Sequence, residues 1–477
     1  MRNEGRITVF MSLMLSVILL LCVTAFKVAS VSAAKEKAAI AVRSSISSVK
    51  ARYNRYIFDH YHILLFDKTL AGEGEAALEE YMVQELEQNL GKGFNVESLA
   101  VRDFNMICEE GLSEFKRQIR EAMKYEIVEY GAEKIRGVTK GEDGSLSPEQ
   151  EEELSAAEQA EKEGGEAQDE ASGTDEKPAV SAGGKTKDPR KFTRKLSKSG
   201  LLKLVAPEDL EINEAEYDIG SGPSLTTGGF FPDFVFLQKD FDDVKDMRQD
   251  LTDGSGWDNA LVNAGALITY ARRYFNSAVD HDKNKETVFD FEMEYLIAGH
   301  DSDKENLQTV VISLSGLRFP FCYACLRKDA ERMAQVRAIA RGLSLITPVP
   351  ASVYRVLIAG CWAYAESIAE CRSLLAGKRL SFVKKKTNWV TDIKNLPGTV
   401  KTDVPEDKKG LAYEDYLMIL MAIKQEKVCY RMLDLMEFNT KQKEENFEME
   451  HAAYGLTVDA SIAFGGQSRG FSETGEY

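Results

Sequence analysis

ITVFMSLMLSVILLLCVTAF, residues 7–26, is a run of twenty residues without a charged side chain. As a helix it extends about 30 Å, the thickness of a bilayer's hydrocarbon core. Its hydroxyl groups, on Thr8, Ser12, Ser16 and Thr24, can bond back to helix carbonyls, so none of them bars the segment from lipid. Arg2 and Arg6 precede the run; Lys27, Lys35, Lys37 and Arg43 follow it. Counting Lys and Arg therefore leaves the orientation open. The run exceeds the roughly 7–15 apolar residues of a secretory signal, which favours an uncleaved anchor. A cleaved signal is the other reading, because Val31-Ser32-Ala33 before Ala34 has the small-residue spacing of a cleavage site. A soluble core helix fits least, since an uncharged run of this length at the extreme N-terminus is rare in soluble folds.

Beyond the run, residues 28–49 contain no Gly or Pro and are rich in Ala and Ser, so the helix is expected to continue as a stalk. Ala25, Ala29 and Ala33 recur every fourth residue, with Ser32 beside them. On a helix they form one stripe of small side chains, which lets a second helix approach closely. The ordinary alternative is plain Ala-rich helix surface.

Further along, residues 51–67 (ARYNRYIFDHYHILLFD) are dense in aromatics. Leu78, Tyr81, Met82, Leu86 and Leu90 recur at helical spacing, and residues 94–104 alternate as a strand does. Leu112, Phe115, Ile119, Met123, Ile127 and Tyr130 mark another helix. Residues 142–176 then carry 14 acidic side chains and one Lys, and residues 185–198 carry seven basic side chains and one Asp. So little apolar surface cannot offset chain entropy, and residues 140–199 read as a disordered charged linker or insertion. Helices are expected at 257–279, 303–326, 329–345, 352–375, 413–423 and 428–441. The segment 287–297 (TVFDFEMEYLI) alternates acids with aromatics and predicts a strand. A short strand at 380–389 and strands within 447–464 complete the pass. No internal repeat is present.

The 477 residues carry a net charge of −17. That balance disfavours a nucleic-acid binder, which needs a basic face for phosphates. Seven cysteines exclude a disulfide-dense scaffold. Cys322-Tyr-Ala-Cys325 is the sharpest local motif. It could be a redox pair or half a zinc site, but no second pair stands at a useful spacing, and its apolar surroundings favour two buried thiols. Cys361 and Cys371 lie ten apart on one expected helix, too far to bridge. Cys22 sits in the apolar run. His60 and His62 lack a third ligand for a metal. Asp280, Asp282 and Asn284 imitate the start of a calcium loop, but Lys285 and Phe291 stand where Gly and Glu are required. Ser302 or Asp303 is a good helix N-cap. No P-loop, dinucleotide fingerprint or HExxH occurs.

Several stretches together carry a family resemblance: GRITVFMSLMLSVILLL (5–21), ARYNRYIFDHYHILLFD (51–67), EYLIAGHDSDKENLQTVV (294–311), CWAYAESIAECRSLLAGKRLSFVK (361–384) and GLAYEDYLMILM (410–421). The chain resembles an uncharacterised family of membrane-anchored bacterial proteins associated with tight-adherence (Tad) pilus clusters. Its N-terminus is similar to those of TadE/TadG-like minor pseudopilins. The resemblance implies a short N-terminus inside, a large domain outside the cytoplasmic membrane, and a part in pilus assembly. Gly5 matches a pilin-type leader, whereas Val9 and Phe10 stand where an acidic residue is expected. An uncleaved, TadG-like accessory subunit fits that departure.

The expected fold is α+β: a single N-terminal transmembrane helix (1–26), a helical stalk and membrane-proximal part (27–139), the linker (140–199), and a mainly helical extracytoplasmic domain with a few strands (200–477). The expected function is a non-enzymatic structural or assembly component of a Tad-type pilus or secretion apparatus. No catalytic, cofactor or metal residues are assigned. The partners are membrane lipid and pilus or pseudopilin subunits, packed on Ala25, Ala29, Ser32 and Ala33; nucleic acid is not among them. The rival is an anchored extracytoplasmic enzyme or ligand-binding sensor domain.

Overall fold

The computed structural model describes residues 4–123, 200–208, 210–220, 222–226, 260–280, 286–423 and 425–477. The expected linker at 140–199 lies outside the described residues, as does the latter half of the helix expected to run on from Leu112. In chain order the main elements are α1 (Glu4–Lys50), α2 (Arg55–Tyr61), β1 (Phe66–Asp67), α3 (Glu75–Leu90), β2 (Asn95–Met106), α4 (Ser113–Met123) and α5 (Leu201–Val205). There follow α6 (Ala260–Tyr274), α7 (Glu292–Ala298), α8 (Asp303–Arg327), α9 (Ala330–Ser344), α10 (Ala351–Leu375), α11 (Tyr413–Ile423), α12 (Gln425–Lys441), β3 (Ala452–Phe464) and β4 (Gln467–Glu476). Mixed helix and strand is thus the observed class, with helix predominant.

Two compact units form. The first joins Met1–Gln118 to Met436–Tyr477, and the second is Ile119–Leu435. The C-terminal strands therefore belong with the N-terminal helix, not with the 200–477 domain in which the sequence reading placed them.

In the first unit β3 is central. It pairs antiparallel with β2 along one side, and with β1 and then β4 along the other. Gly465 and Gly466, at φ 59° and 80°, make the tight turn between β3 and β4, a backbone shape that only glycine adopts freely. One sheet face carries Leu99, Leu456, Val458, Ala460, Ile462, Phe464 and Phe471 into the core. Against it pack Ala38, Ala41, Val42, Ile46 and Val49 of α1, and Leu78, Met82, Leu86 and Leu90 of α3. Both sets follow helical spacing, so each helix offers one apolar stripe.

α1 changes character along its length. It is exposed from Thr8 through Ser30, and buried side chains begin at Ala38. The exposed half is long and apolar enough to cross a membrane. α8 passes the same length test, but 67% of its most apolar stretch is buried, as in a soluble core helix. The hydroxyls of Ser12, Ser16 and Thr24 bond to Val9, Leu13 and Leu21 carbonyls at 2.8–2.9 Å, the back-bonding their positions allowed. The buried half is clasped by β4 and its neighbours. Arg43 grips Glu473 at 2.9 and 3.0 Å, Lys50 donates to the Glu476 carbonyl at 2.7 Å, and the Tyr477 hydroxyl donates to the Lys50 carbonyl.

The second unit is helical. α8, α9 and α10 pack side by side, with α5 against α8 and α10, and α7 and α11 against α8. Pro320 lies inside α8 without ending it. The segment 287–297 departs from expectation. Its first half is irregular and its second half is α7, with Met293, Tyr295, Glu292 and Glu294 all buried. Glu292 and Glu294 do not face water. They accept hydrogen bonds from the Asn276 and Ala278 amides, so on α7 both sets of side chains point into protein. Gly299 ends α7 at φ 75°, and a side chain there would collide with the Arg431 guanidinium. The strand expected at 380–389 reduces to a single bridge, Leu380 to Leu411, and a short 3-10 turn at Lys386–Asn388.

Candidate functional site

Two buried polar clusters stand out in the second unit. The first lies between α8 and α10. Arg318 is fully buried, an uncommon place for a guanidinium. Its Nε donates to Glu370 at 2.8 Å. Its Nη1 donates to the Phe382 carbonyl at 2.5 Å and the Tyr416 hydroxyl at 2.9 Å, and its Nη2 to the Ser381 carbonyl at 3.2 Å. Lys384 reaches in from the loop after α10. It meets Glu366 at 2.5 Å, Glu370 at 2.9 Å and the Asn388 carbonyl at 2.8 Å, using all three ammonium protons. Glu366 also accepts from the Thr391 amide at 2.9 Å and its hydroxyl at 2.6 Å. Trp362 donates to that Thr391 hydroxyl at 3.0 Å.

Two cations and two carboxylates make this cluster neutral, and every member is hydrogen-bonded. Burial pushes Glu370 up, but Arg318 and Lys384 outweigh it and hold the carboxyl down at about 2. Lys384 is disfavoured as a cation by burial, yet Glu370 and Glu366 raise it above the usual lysine range. The arrangement fastens two helices and a loop by charge. It offers no unpaired group to a substrate.

Cys322 donates to Glu370 at 3.4 Å from the turn beyond Arg318. Burial, reinforced by Glu370, pushes its thiol well up, and burial likewise raises Cys325. Both are free and buried, which makes them poor nucleophiles. Cys361 and Cys371 lie on α10 as expected, and burial pushes Cys371 up to about 12.

The second cluster surrounds α7. Glu292 accepts from the Asn276 amide at 2.9 Å, and Glu294 from the Ala278 amide at 3.0 Å and the Tyr413 hydroxyl at 2.8 Å. Asp303 accepts from the Asp290 and Phe291 amides, both at 3.0 Å. Asp434 accepts from the Ser224 amide at 2.8 Å and the Tyr295 hydroxyl at 2.9 Å. Arg431 donates to the Leu296 and Ile297 carbonyls at the end of α7. Among the described residues the second oxygen of Glu294 has no hydrogen-bond partner. Burial pushes Glu294 up to about 7, and Asp303 and Asp434 each up to about 6, against the pull of their amide and hydroxyl donors.

The residues singled out from sequence fall elsewhere. Ala25, Ala29, Ser32 and Ala33 are all exposed on α1. His60 is exposed with its ring at the Tyr56 carbonyl, and His62 ends α2 in the left-handed conformation. Asp282 and Asn284 lie outside the described residues. Ser302 occupies the N-cap position of α8 without a capping bond, while Asp303 is spent on the chain before α7. Among the described residues no group of three His, Cys, Asp or Glu is placed to hold a metal. Sequence reading passed over Arg318, Glu366, Glu370 and Lys384. The signal was there: Glu366 and Glu370 lie four apart on a mainly apolar helix, and Arg318 interrupts the apolar run of another.

Residues 180–464 match the model of a family of unknown function, DUF5702. The chain belongs to DUF5702. The matched span holds both buried clusters, and α1 lies before it. No curated protein and no solved structure matches the chain.

Proposed function

We propose that this DUF5702 chain is a membrane-anchored, non-enzymatic structural subunit: a minor pseudopilin-like, TadG-like component of a Tad-type pilus or secretion apparatus. In this reading α1 is a single span of the cytoplasmic membrane, with the large C-terminal part extracytoplasmic. The observation that carries it is α1 itself. It is 47 residues of one helix, apolar and exposed in its first half and built into a sheet core in its second. At 1.5 Å per residue it is about 70 Å long. No Gly or Pro interrupts residues 7–50, so the rod has no built-in hinge. Force on the sheet is carried along the helix to its apolar end. Such a coupling suits an assembly part. The resemblance of the N-terminus to TadE/TadG-like pseudopilins supplies the partner class.

The exposed small stripe gives the partner helix a place. Lipid tails are as apolar as Leu, so helices associate in a bilayer by close packing. Replacing Ala25 and Ala29 by Leu keeps α1 apolar and helical, and insertion is expected to survive. Co-purification with pseudopilin subunits is expected to fall about thirtyfold, the equivalent of ~2 kcal/mol by analogy with an overpacked core. Undiminished co-purification of the inserted double variant would reduce α1 to an anchor. The enzyme or sensor alternative would then gain ground. Its best single observation is Glu294, a buried carboxyl with one oxygen unpartnered.

A further inference from the structure

The connection between α9 and α10 combines features that neither the anchor nor the buried clusters use. Residues 332–365 contain four arginines and no acidic side chain, in a chain where 77 of 477 residues are acidic. Arg332 is engaged by Asp329 at 2.5 Å. Arg337 and Arg341 are exposed one helical turn apart on α9, and Arg355 is half-exposed on the first turns of α10. At the tip, Leu345 is 88% and Ile346 75% exposed. Outside α1 they are the most exposed large apolar side chains among the described residues; the next, Leu225, is at 46%.

The tip's backbone is already largely satisfied. The Leu343 carbonyl accepts from the Ile346 and Thr347 amides at 3.1 and 3.2 Å, and from the Thr347 hydroxyl at 3.1 Å. That hydroxyl also meets the Tyr354 hydroxyl at 2.7 Å. Pro348 and Pro350 have no amide proton to satisfy. A turn that meets its own hydrogen bonds can enter a low-dielectric layer cheaply, whereas one with open amides cannot. Apolar tips with a collar of arginines suit the boundary between acyl chains and headgroups. There the aliphatic side chains lose water and the guanidinium groups face phosphate.

We propose that the α9–α10 turn is a membrane-contact site, in which Leu345 and Ile346 enter the interface of an anionic bilayer while Arg337, Arg341 and Arg355 bind lipid phosphates. The occupant follows from charge: a stretch free of acids, carrying exposed arginines on a chain of net charge −17, selects a negatively charged surface. A bilayer is the surface at hand, because the same chain carries a helix fit to span one. This contact is separate from α1 and does not depend on the pseudopilin reading.

The test uses the full chain carrying Ile346→Trp, reconstituted into lipid discs whose acyl chains bear bromine as a quencher. One set of discs contains phosphatidylcholine alone and the other adds phosphatidylglycerol. Recovery of the chain in the discs reports anchoring by α1. Quenching of the introduced indole, over the background of unsubstituted protein, reports the tip. Strong quenching is expected in anionic discs and little in neutral ones. Arg337→Gln with Arg341→Gln is expected to lower the ratio of docked to undocked tip about thirtyfold, from about fivefold for each basic residue near such a surface. An indole that stays unquenched in anionic discs, in protein that is anchored, would overturn the proposal and point to an acidic protein partner. Equal quenching in neutral discs, or no response to removing the arginines, would also overturn it.

Discussion

Arg318→Met is expected to destabilise the Ile119–Leu435 unit by about 3–5 kcal/mol, the usual cost of stranding one partner of a buried ion pair. Met is close to Arg in reach and keeps most of the packing, so the loss is electrostatic. Glu370 would be left with Lys384 as its remaining cation, and Glu366 already shares that cation. The carbonyls of Ser381 and Phe382 would each lose a donor inside the protein. Adding Glu370→Gln to Arg318→Met should recover part of the loss, because the stranded charge is gone. Arg43→Ala is the contrasting control. Its ion pair with Glu473 is 64% exposed on the Arg43 side chain, so water and salt screen it and little change in stability is expected. Denaturant midpoints, read for the second unit by the fluorescence of the buried Trp362 and Trp389 and for both units by far-ultraviolet circular dichroism, would separate the two. A shift under about 1 kcal/mol for Arg318→Met would mean that the network is not closed as described.

The second large effect is on pH dependence. Glu294 has its folded pKa raised from 4.5 to about 7. The folded state therefore holds this proton more tightly than the unfolded chain does. The stability it contributes is complete below about pH 4.5 and is lost as the pH rises through about 7. Its size is on the order of 3 kcal/mol, from 1.36 kcal/mol for each pKa unit. Asp303 and Asp434, each raised from 3.8 to about 6, act in the same direction. Glu370 acts oppositely. Lowered from 4.5 to about 2, it contributes stability above about pH 4.5 that is lost as the pH falls through 2. The unit should therefore be most stable in mild acid and weaken towards pH 8. Glu294→Gln keeps an oxygen for the Ala278 amide and the Tyr413 hydroxyl but cannot ionise. At pH 8 it should be more stable than the parent by about 2–3 kcal/mol, and near pH 4.5 about equal. Denaturant titrations at both pH values check this. An unchanged pH profile in the variant would assign the effect to other groups.

Local features of the chain were legible from sequence, and long-range ones were not. The apolar run, the stalk, the Leu78–Met82–Leu86–Leu90 stripe of α3 and the alternation in β2 each depend on neighbours a few residues away. Spacing reports such neighbours directly. The segment 287–297 misled because alternation marks a strand only when one set of side chains faces water. Here Glu292 and Glu294 face the backbone of residues 276–278, which the pattern does not reveal. The charge network was hidden for a related reason. Glu366 and Glu370 read as a polar pair on a helix until Arg318, 52 residues from Glu370, is brought beside them. The placement of the C-terminal strands had no local signal at all. Ser461 and Glu97, which share a hydrogen bond across the sheet, lie 364 residues apart.

The central claim is that α1 presents one particular face to a partner helix. The direct measurement places a photo-crosslinking side chain at Ala25 or Ala29, or at Val23 on the opposite face of the same apolar segment, in the full chain in its native membrane. All three positions are exposed in the isolated chain. The account predicts adducts with a pilus or pseudopilin subunit from Ala25 and Ala29, and few or none from Val23. Equal adducts from both faces, or none from the stripe while the protein remains membrane-inserted, would contradict it.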